Sequence, residues 1–201
     1  MAVSEAALPA PHSAETATGY DNRKLFMWAF LASECMFFGS LIASFMLYRG
    51  RSLEGPYPKD VFNIPYTSVS SFVLLMSSLT MVLALSAIQR GDQRALRVWL
   101  LATAFLGCTF LGGQAFEFTD FVRKGLTLHT NLFGTTFFVL TGFHGAHVSF
   151  GVLMLLTCFV FSIRGKLPQS KSLNIELVGL YWHFVDIVWI IIFTLVYLVK
   201  A

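Results

Sequence analysis

Residues 66–89 read YTSVSSFVLLMSSLTMVLALSAIQ, a stretch without a single Asp, Glu, Lys or Arg. An α-helix rises about 1.5 Å per residue, so this stretch would be about 36 Å long as a helix. A bilayer core of about 30 Å is crossed by roughly 20 apolar residues in a helix. We therefore predict that residues 66–89 form a transmembrane helix.

Four further apolar stretches are long enough to cross a membrane, at about 24–48, 95–118, 131–163 and 175–199. The composition of the whole chain agrees, with 56% hydrophobic and 12% charged residues. Soluble domains average about 45–50% apolar and about 25% charged residues. The sequence therefore predicts an all-α integral membrane protein, built as a bundle of five transmembrane helices.

The remaining segments are predicted to be a tail and short connections. Residues 1–22 are rich in Ala, Ser and Thr, and they lack the basic start and apolar core of a secretory signal. We expect a flexible tail there, followed by the transmembrane domain at 23–201. The connection at 49–65, RGRSLEGPYPKDVFNIP, carries three prolines and two glycines, which favour turns over helix.

The distribution of Lys and Arg indicates an orientation. With the amino terminus in the cytoplasm, eight Lys and Arg lie on the inner side and six on the outer side. Cytoplasmic loops carry the excess of these residues. We expect the amino terminus to be cytoplasmic and the carboxyl terminus to be outside. The formal net charge of +3, with no basic block, gives no nucleic-acid footprint.

Small residues and cysteines are expected at helix contacts. The small residues include Ala29, Ala32, Ser33, Ser70, Ser71, Ser77, Ser78, Gly112, Gly113, Gly142, Gly145 and Gly151. Such residues let helix backbones approach closely in lipid. The three cysteines, Cys35, Cys108 and Cys158, each lie within an apolar stretch without CxxC spacing. They are predicted to be buried thiols.

Two carboxylates lie deep inside predicted spans. Glu34 is about ten residues into the first helix, and Asp186 is at a comparable depth in the fifth. A central Asp, Lys or Arg costs roughly 2.5–3.5 kcal/mol on insertion scales, so each such group requires a physical reason. Glu117 lies near the outer end of the third helix, where the cost is expected to be smaller. The neighbours of Glu34 in the sequence, SECMFF, offer it little to pair with.

Histidines accompany these carboxylates at helical spacing. His144 and His147 are three residues apart on the fourth helix, and His183 and Asp186 repeat that spacing on the fifth. Residues three apart share a helix face. We expect His147 and Asp186 to meet at the centre of the bundle.

Three interpretations of these groups remain open. The first is a buried polar network that holds the helices together. The second is a metal or haem site on His144 and His147, although no Cys or carboxylate completes a familiar motif. The third is a proton-exchange role, for which Glu34 is the best candidate.

Four motifs resemble one known family, subunit III of the haem-copper oxidases. The stretch YWHFVDIVWIIIFTLVYL at 181–198 is similar to that family's last helix, and GFHGAHVSFGV at 142–152 to the helix before it. SECMFFGSLIASF at 33–45 resembles the carboxylate-bearing helix, and LGGQAFEF at 111–118 a stretch with Gln and Glu. The motifs occur in the family's order, and the resemblance covers nearly everything after residue 24.

The resemblance implies a subunit without a metal, cofactor or catalytic residue of its own. Haem and copper belong to the catalytic subunit I, against which this subunit packs, and subunit II completes the core. The family's role is to sustain proton uptake and stability of a proton-pumping complex that reduces oxygen to water. Phospholipid binds in a cleft of the family's fold. By the same resemblance, Glu34 matches a carbodiimide-reactive carboxylate, and the polar positions that link helices are Glu117, His144, His147, His183 and Asp186.

The sequence departs from the long form of the family. Many members have seven helices, whereas five are predicted here, as in the short bacterial form in the cytoplasmic membrane. The Glu in SECMFF favours cytochrome c as electron donor over quinol; an accessory subunit of nitric oxide reductase is a further alternative. From other classes, a small proton-coupled transporter and a membrane haem protein using His144 or His147 with His183 stay open.

Overall fold

The computed structural model describes residues 19, 21–49, 51 and 62–199. Within them lie five helices: α1 (Asn22–Tyr48), α2 (Ile64–Gln89), α3 (Gln93–Arg123), α4 (Leu132–Ile163) and α5 (Ser172–Phe193). A 3-10 turn at Gln169–Lys171 precedes α5, and a π-helical turn at Thr194–Leu198 continues it. All five spans are long and apolar enough to cross a membrane, and the described residues contain no strand. The prediction of an all-α, five-helix membrane bundle is confirmed.

The predicted tail at 1–22 and most of the first connection fall largely outside the described residues. Residues 1–18, 20, 50 and 52–61 lie outside the described residues.

Asp or Asn caps the start of each of the first four helices. The backbone N–H groups of a first turn have no partner inside the helix. Here they donate hydrogen bonds to the side chains of Asp21, Asn63, Asp92 and Asn131. Three of the helices begin two residues before the predicted apolar stretch. Hydropathy does not register the polar first residues of α1 and α3, and Pro65, which was counted with the connection, lies in the first turn of α2. At its other end α3 continues past residue 118 to Arg123, where Lys124 pairs with Asp120 at 2.8 Å.

Four of the helices form the core of the bundle, and α1 lies at its edge. α2 packs against α3, α3 against α4, and α5 fits between α2 and α4. α1 packs against α4 and α5, and the only residues of α1 that are buried are Phe38 and Phe45. The core is therefore centred on α5.

Trp182 of α5 lies at the centre of this core. Its indole ring packs where Gly107 of α3 and Gly151 of α4 leave room, since a Cβ on either glycine would come within 2.9 Å of the ring. The indole Nε1–H donates to Ser77 of α2 at 2.9 Å. One side chain thus contacts all three neighbouring core helices.

The expected small-residue contacts form at only some of the positions. Ser71 and Ser77 are buried, and each accepts a hydrogen bond from an indole N–H of α5. Gly145 lies close to Gln114. Other predicted positions face outward or have open space around them: Ala29, Ala32, Ser33, Gly112 and Gly142. For the three positions on α1, the reason is that this helix has contacts on one side only, and these residues lie on its other side.

The prediction of buried thiols is correct for one cysteine only. Cys158 is buried, whereas Cys35 and Cys108 are exposed on the surface of the bundle. Both exposed thiols lie within membrane spans, on sides of α1 and α3 that no other helix covers.

α1 and α5 run parallel and are joined at both ends. Near their starts, Lys24 forms an ion pair with Glu176. Near their ends, Arg49 donates from Nη1 to the carbonyl of Leu195 at 2.7 Å and from Nη2 to the carbonyl of Val199. Burial lowers the pKa of the Arg49 guanidinium from its ordinary value. These contacts attach the edge helix to the centre of the core.

Candidate functional site: polar pairs between helices

Glu34 pairs with His147 halfway along α1. Oε2 of Glu34 lies 3.2 Å from Nε2 of His147 on α4, and the two side chains are 17% and 19% exposed. Nδ1 of His147 lies 2.7 Å from the carbonyl oxygen of Phe143, which can only accept a hydrogen bond. Nδ1 therefore carries a proton, and both ring nitrogens have partners.

This geometry lets Glu34 and His147 share one proton. If the proton is on Glu34, the acid donates to a neutral imidazole; if it is on His147, an imidazolium donates to a carboxylate. The hydrogen bond between them is kept in both states. The pair is thus chemically able to hold or pass a proton in the middle of the membrane span.

Asp186 and His183 face α2 and meet at Ser78. The hydroxyl of Ser78 donates to Oδ2 of Asp186 and lies 2.8 Å from Nδ1 of His183. Oδ1 of Asp186 is buried and has no hydrogen-bond partner among the described residues. Ser78 thereby joins two titratable side chains of α5 to α2.

The expectation that His147 meets Asp186 is wrong. α1 packs against α4 and α5 and brings Glu34 to the face of α4 that carries His147. Asp186 instead lies on the α2 side of α5, where Ser78 is its partner. Sequence spacing places residues on helix faces, but it does not tell which helix each face meets.

Glu117 is buried between α3 and α2. It is bonded to the hydroxyl of Thr67, and its exposed fraction is only 6%. Because α3 continues to Arg123, Glu117 is further from the end of its helix than the sequence indicated. Its environment is therefore less polar than the predicted one.

His144 is separate from the other polar residues. Its ring is wholly buried, and neither nitrogen has a hydrogen-bond partner in the described part of the chain. It stacks on Trp189 with 4.8 Å between ring centroids and meets the edges of Phe110 and Phe38. The five predicted linking residues and Glu34 thus form three separate contacts and one isolated ring, and they are not joined in a single network.

Several polar residues form hydrogen bonds between helices that were not predicted from the sequence. Gln114 is buried and donates from Nε2 to the carbonyl of Thr141 at 3.1 Å, which joins α3 to α4. Thr67 and Ser78 are the hydroxyl partners of two carboxylates. Thr67, Ser71 and Ser78 follow one another on α2 at spacings of four and seven residues, which places them on one face of the helix. This spacing could have identified the polar face of α2 from the sequence.

Groups of three or more His, Cys, Asp or Glu side chains placed to hold a metal ion do not occur among residues 21–49 and 62–199. The two histidines considered as ligands, His144 and His147, lie in different surroundings. His147 contacts Glu34, and the ring of His144 is enclosed by aromatic side chains.

Comparison with known proteins supplies a family. The chain matches the family described as cytochrome c oxidase subunit III over residues 2–200. It is 36% identical over 177 residues to cytochrome c oxidase subunit 3 of Bacillus sp. (strain PS3), covering 88% of this chain and 86% of that protein.

Two other relatives show similar values. The chain is 37% identical over 190 residues to quinol oxidase subunit 3 of Bacillus subtilis (strain 168), covering 94% of this chain and 92% of that one. It is 37% identical over 179 residues to cytochrome c oxidase subunit 3 of Thermostichus vulcanus, covering 89% and 88%. These relatives are therefore of about the same length as this chain.

Proposed function

Because the chain belongs to the cytochrome c oxidase subunit III family, we propose that it is the noncatalytic subunit III of a proton-pumping terminal oxidase in a bacterial cytoplasmic membrane. It would support the stability and proton uptake of the subunit that reduces oxygen to water.

The observation that carries this proposal is how the membrane-embedded carboxylates are used. Each of the three contacts a side chain of another helix: Glu34 contacts His147, Asp186 contacts Ser78, and Glu117 contacts Thr67. Polar groups used in this way fix the positions of helices. A chain whose deep carboxylates are bonded to side chains of neighbouring helices, and whose outer surface is apolar, is suited to packing beside another membrane subunit.

The partners follow from the family. The haem and copper that carry out the redox chemistry would belong to oxidase subunit I, in direct contact with this chain, with subunit II next to it. Membrane phospholipid would cover the remaining apolar surface. No residue of this chain is assigned a catalytic or cofactor-binding role.

The Glu34–His147 pair is the part of this chain best suited to proton traffic. A pair that keeps its hydrogen bond with the shared proton on either partner can pass that proton between Glu34 and His147 without a rearrangement of helices. We assign it a role in tuning proton uptake by the neighbouring subunit; Asp186, Glu117, His144 and His183 are assigned to helix packing.

The electron donor is proposed to be cytochrome c. Relatives named as cytochrome c oxidase and quinol oxidase subunits match equally well, at 36% and 37% identity, so quinol is the second candidate. Oxygen uptake by the purified complex, with reduced cytochrome c or with a quinol as donor, distinguishes the two.

The orientation is proposed from the basic residues. The ends of the bundle at the start of α1, between α2 and α3, and between α4 and α5 carry the larger share of Lys and Arg, and we place them in the cytoplasm. A reporter enzyme that is active only outside the cytoplasmic membrane, fused after Ala201, should be active. An inactive fusion would reverse the orientation.

The function is tested by removing this chain from the complex. Oxygen reduction should begin at the rate of the complete complex and then decay faster with turnover, and adding the purified chain back should restore the lifetime. An immediate and complete loss of haem reduction would contradict a supporting role. A haem Soret band in the purified chain would contradict the assignment of haem to the partner.

A further inference from the structure

His183 has an unsatisfied polar atom at the middle of a membrane span. The fifth span covers Gln169–Leu198, and His183 lies at its midpoint. Nδ1 of His183 is used by Ser78, whereas Nε2 has no hydrogen bond to any described residue. The side chain is only partly buried, and Nε2 is not among the fully enclosed polar atoms, so this nitrogen reaches the surface of the bundle.

Three exposed hydroxyl side chains within the spans do not present the same problem. The hydroxyls of Ser33, Ser40 and Thr109 are exposed, and each donates to a carbonyl of its own helix. His147 uses both of its ring nitrogens. Lipid chains offer no hydrogen bond, so a free ring nitrogen at this depth is unfavourable unless another polypeptide supplies a partner.

An apolar stripe continues from His183 along the same side of α5. Ile187, Ile190 and Ile191 follow at spacings of four, seven and eight residues and are 56%, 42% and 43% exposed. Residues at these spacings share one helix face. We call His183 together with these three isoleucines the His183 face.

The His183 face lies between the two helices that flank α5. Asp186 marks the side of α5 that meets α2, and Phe184, which packs on Phe38, marks the side that meets α1. On a helical wheel the His183 face falls between those two sides. Leu75 and Val82 of α2, one turn before and after Ser78, are also exposed and border it.

We propose that the His183 face is the docking surface for a transmembrane helix of the catalytic subunit, and that this helix carries a hydroxyl or carboxamide side chain at mid-bilayer depth that bonds to Nε2 of His183. This proposal rests on the proposed function.

The hydrogen-bond direction fits this occupant. With Asp186 ionised, Ser78 donates its only proton to that carboxylate and accepts Nδ1–H from His183. In the neutral ring Nε2 is then an acceptor, which hydroxyl and carboxamide groups can satisfy by donating. The isoleucines beside it provide a branched apolar surface against which a helix can pack. A lipid chain matches the isoleucines but not the nitrogen.

The test is photocrosslinking in the complete complex in its membrane. A photoreactive phenylalanine analogue replaces Ile187 and, as matched controls, Phe105 on α3 and Leu153 on α4, which are 69% and 62% exposed. We expect the Ile187 probe to yield a covalent product with the haem- and copper-bearing subunit and the controls to yield none. A product from a control position without one from Ile187 would overturn the proposed face, as would a product between two copies of this chain.

A second pair of variants tests the hydrogen bond itself. His183→Phe keeps a ring without a ring nitrogen, and His183→Gln keeps a polar group. We expect His183→Phe to lower the fraction of this chain that co-purifies with the haem-bearing subunit by about threefold, the size of one interhelical hydrogen bond in a membrane. His183→Gln should lose less, and equal losses, or none, would overturn the hydrogen bond. If the unaltered chain brought no haem-copper subunit with it, the proposed function itself would fail.

Discussion

The carboxylate of Glu34 and the imidazole of His147 lie 3.2 Å apart and join the edge helix α1 to α4 in the middle of the membrane span. They are 113 positions apart in the sequence. Among the residues that the structure describes, this contact is the one place where a deep carboxylate is hydrogen-bonded directly to an imidazole ring. Since both side chains keep some exposure, it is also reachable from the membrane.

Glu34 should be the carboxylate that a membrane-soluble carbodiimide modifies. Its side chain is partly exposed, whereas Asp186 and Glu117 are buried between helices. We expect Glu34→Gln to abolish labelling of this chain, as measured by mass spectrometry of the labelled peptide. Asp186→Asn and Glu117→Gln serve as controls and should leave labelling intact. Labelling that persisted in Glu34→Gln would place the reactive carboxylate elsewhere.

The helices could be predicted from the sequence because the membrane imposes a length and an apolar composition on each span. The same reasoning missed the first polar turns, since Asp21 and Asp92 act through hydrogen bonds to backbone N–H groups and not through hydropathy. A search for capping residues ahead of each apolar stretch would have found them.

The pairings of polar residues could not be predicted in the same way. The spacing of His183 and Asp186 correctly placed them together, and Ser78 joins both. The partner of Glu34 depends on which helices are neighbours. The spacing of residues within each helix does not indicate which helices are neighbours. His147 was paired with Asp186 because both were expected at the centre of the bundle, whereas α1 lies against α4 and brings Glu34 to His147.

The ion pair between Lys24 and Glu176 should help hold α1 against α5. The two side chains are partly exposed, so reversing either charge should lower the free energy of unfolding by about 0.2–1 kcal/mol. We expect the double reversal, Lys24→Glu with Glu176→Lys, to recover most of the loss in a denaturant titration in detergent micelles. Reversal of Asp120 and Lys124, a pair within one segment, is the control. Additive losses in the double variant would show that the two side chains do not interact.

The cap of α1 should be sensitive to acid. Hydrogen bonds from Arg23 lower the pKa of Asp21 below its ordinary value of 3.8. A lowered folded-state pKa means that the stabilisation is present above the ordinary value and is lost as pH falls through the lowered one. We expect the amides of the first turn to be more protected from hydrogen exchange than in Asp21→Asn near neutral pH. This advantage should disappear once Asp21 is protonated. An advantage that persisted in acid would show that the charge has no part in the cap.

The space around Trp182 should make two glycines intolerant of even a methyl group. An added Cβ at Gly107 would lie 2.6 Å from the Trp182 ring and 2.9 Å from Val152, and one at Gly151 would lie 2.8 Å from the same ring. The indole cannot easily move aside, because its N–H is bonded to Ser77. We expect Gly107→Ala and Gly151→Ala each to lower the free energy of unfolding in micelles by about 1–3 kcal/mol, the usual cost of overpacking a core.

Two glycines of the same helices provide matched controls for that prediction. A Cβ at Gly112 of α3 or at Gly142 of α4 would meet nothing within 4 Å. Replacing a helical glycine by alanine without a clash stabilises a helix by about 0.5–1 kcal/mol. Gly112→Ala and Gly142→Ala should therefore be neutral or slightly stabilising in the same titration. Equal effects at all four positions would mean that helix propensity, and not the contact with Trp182, determines the response.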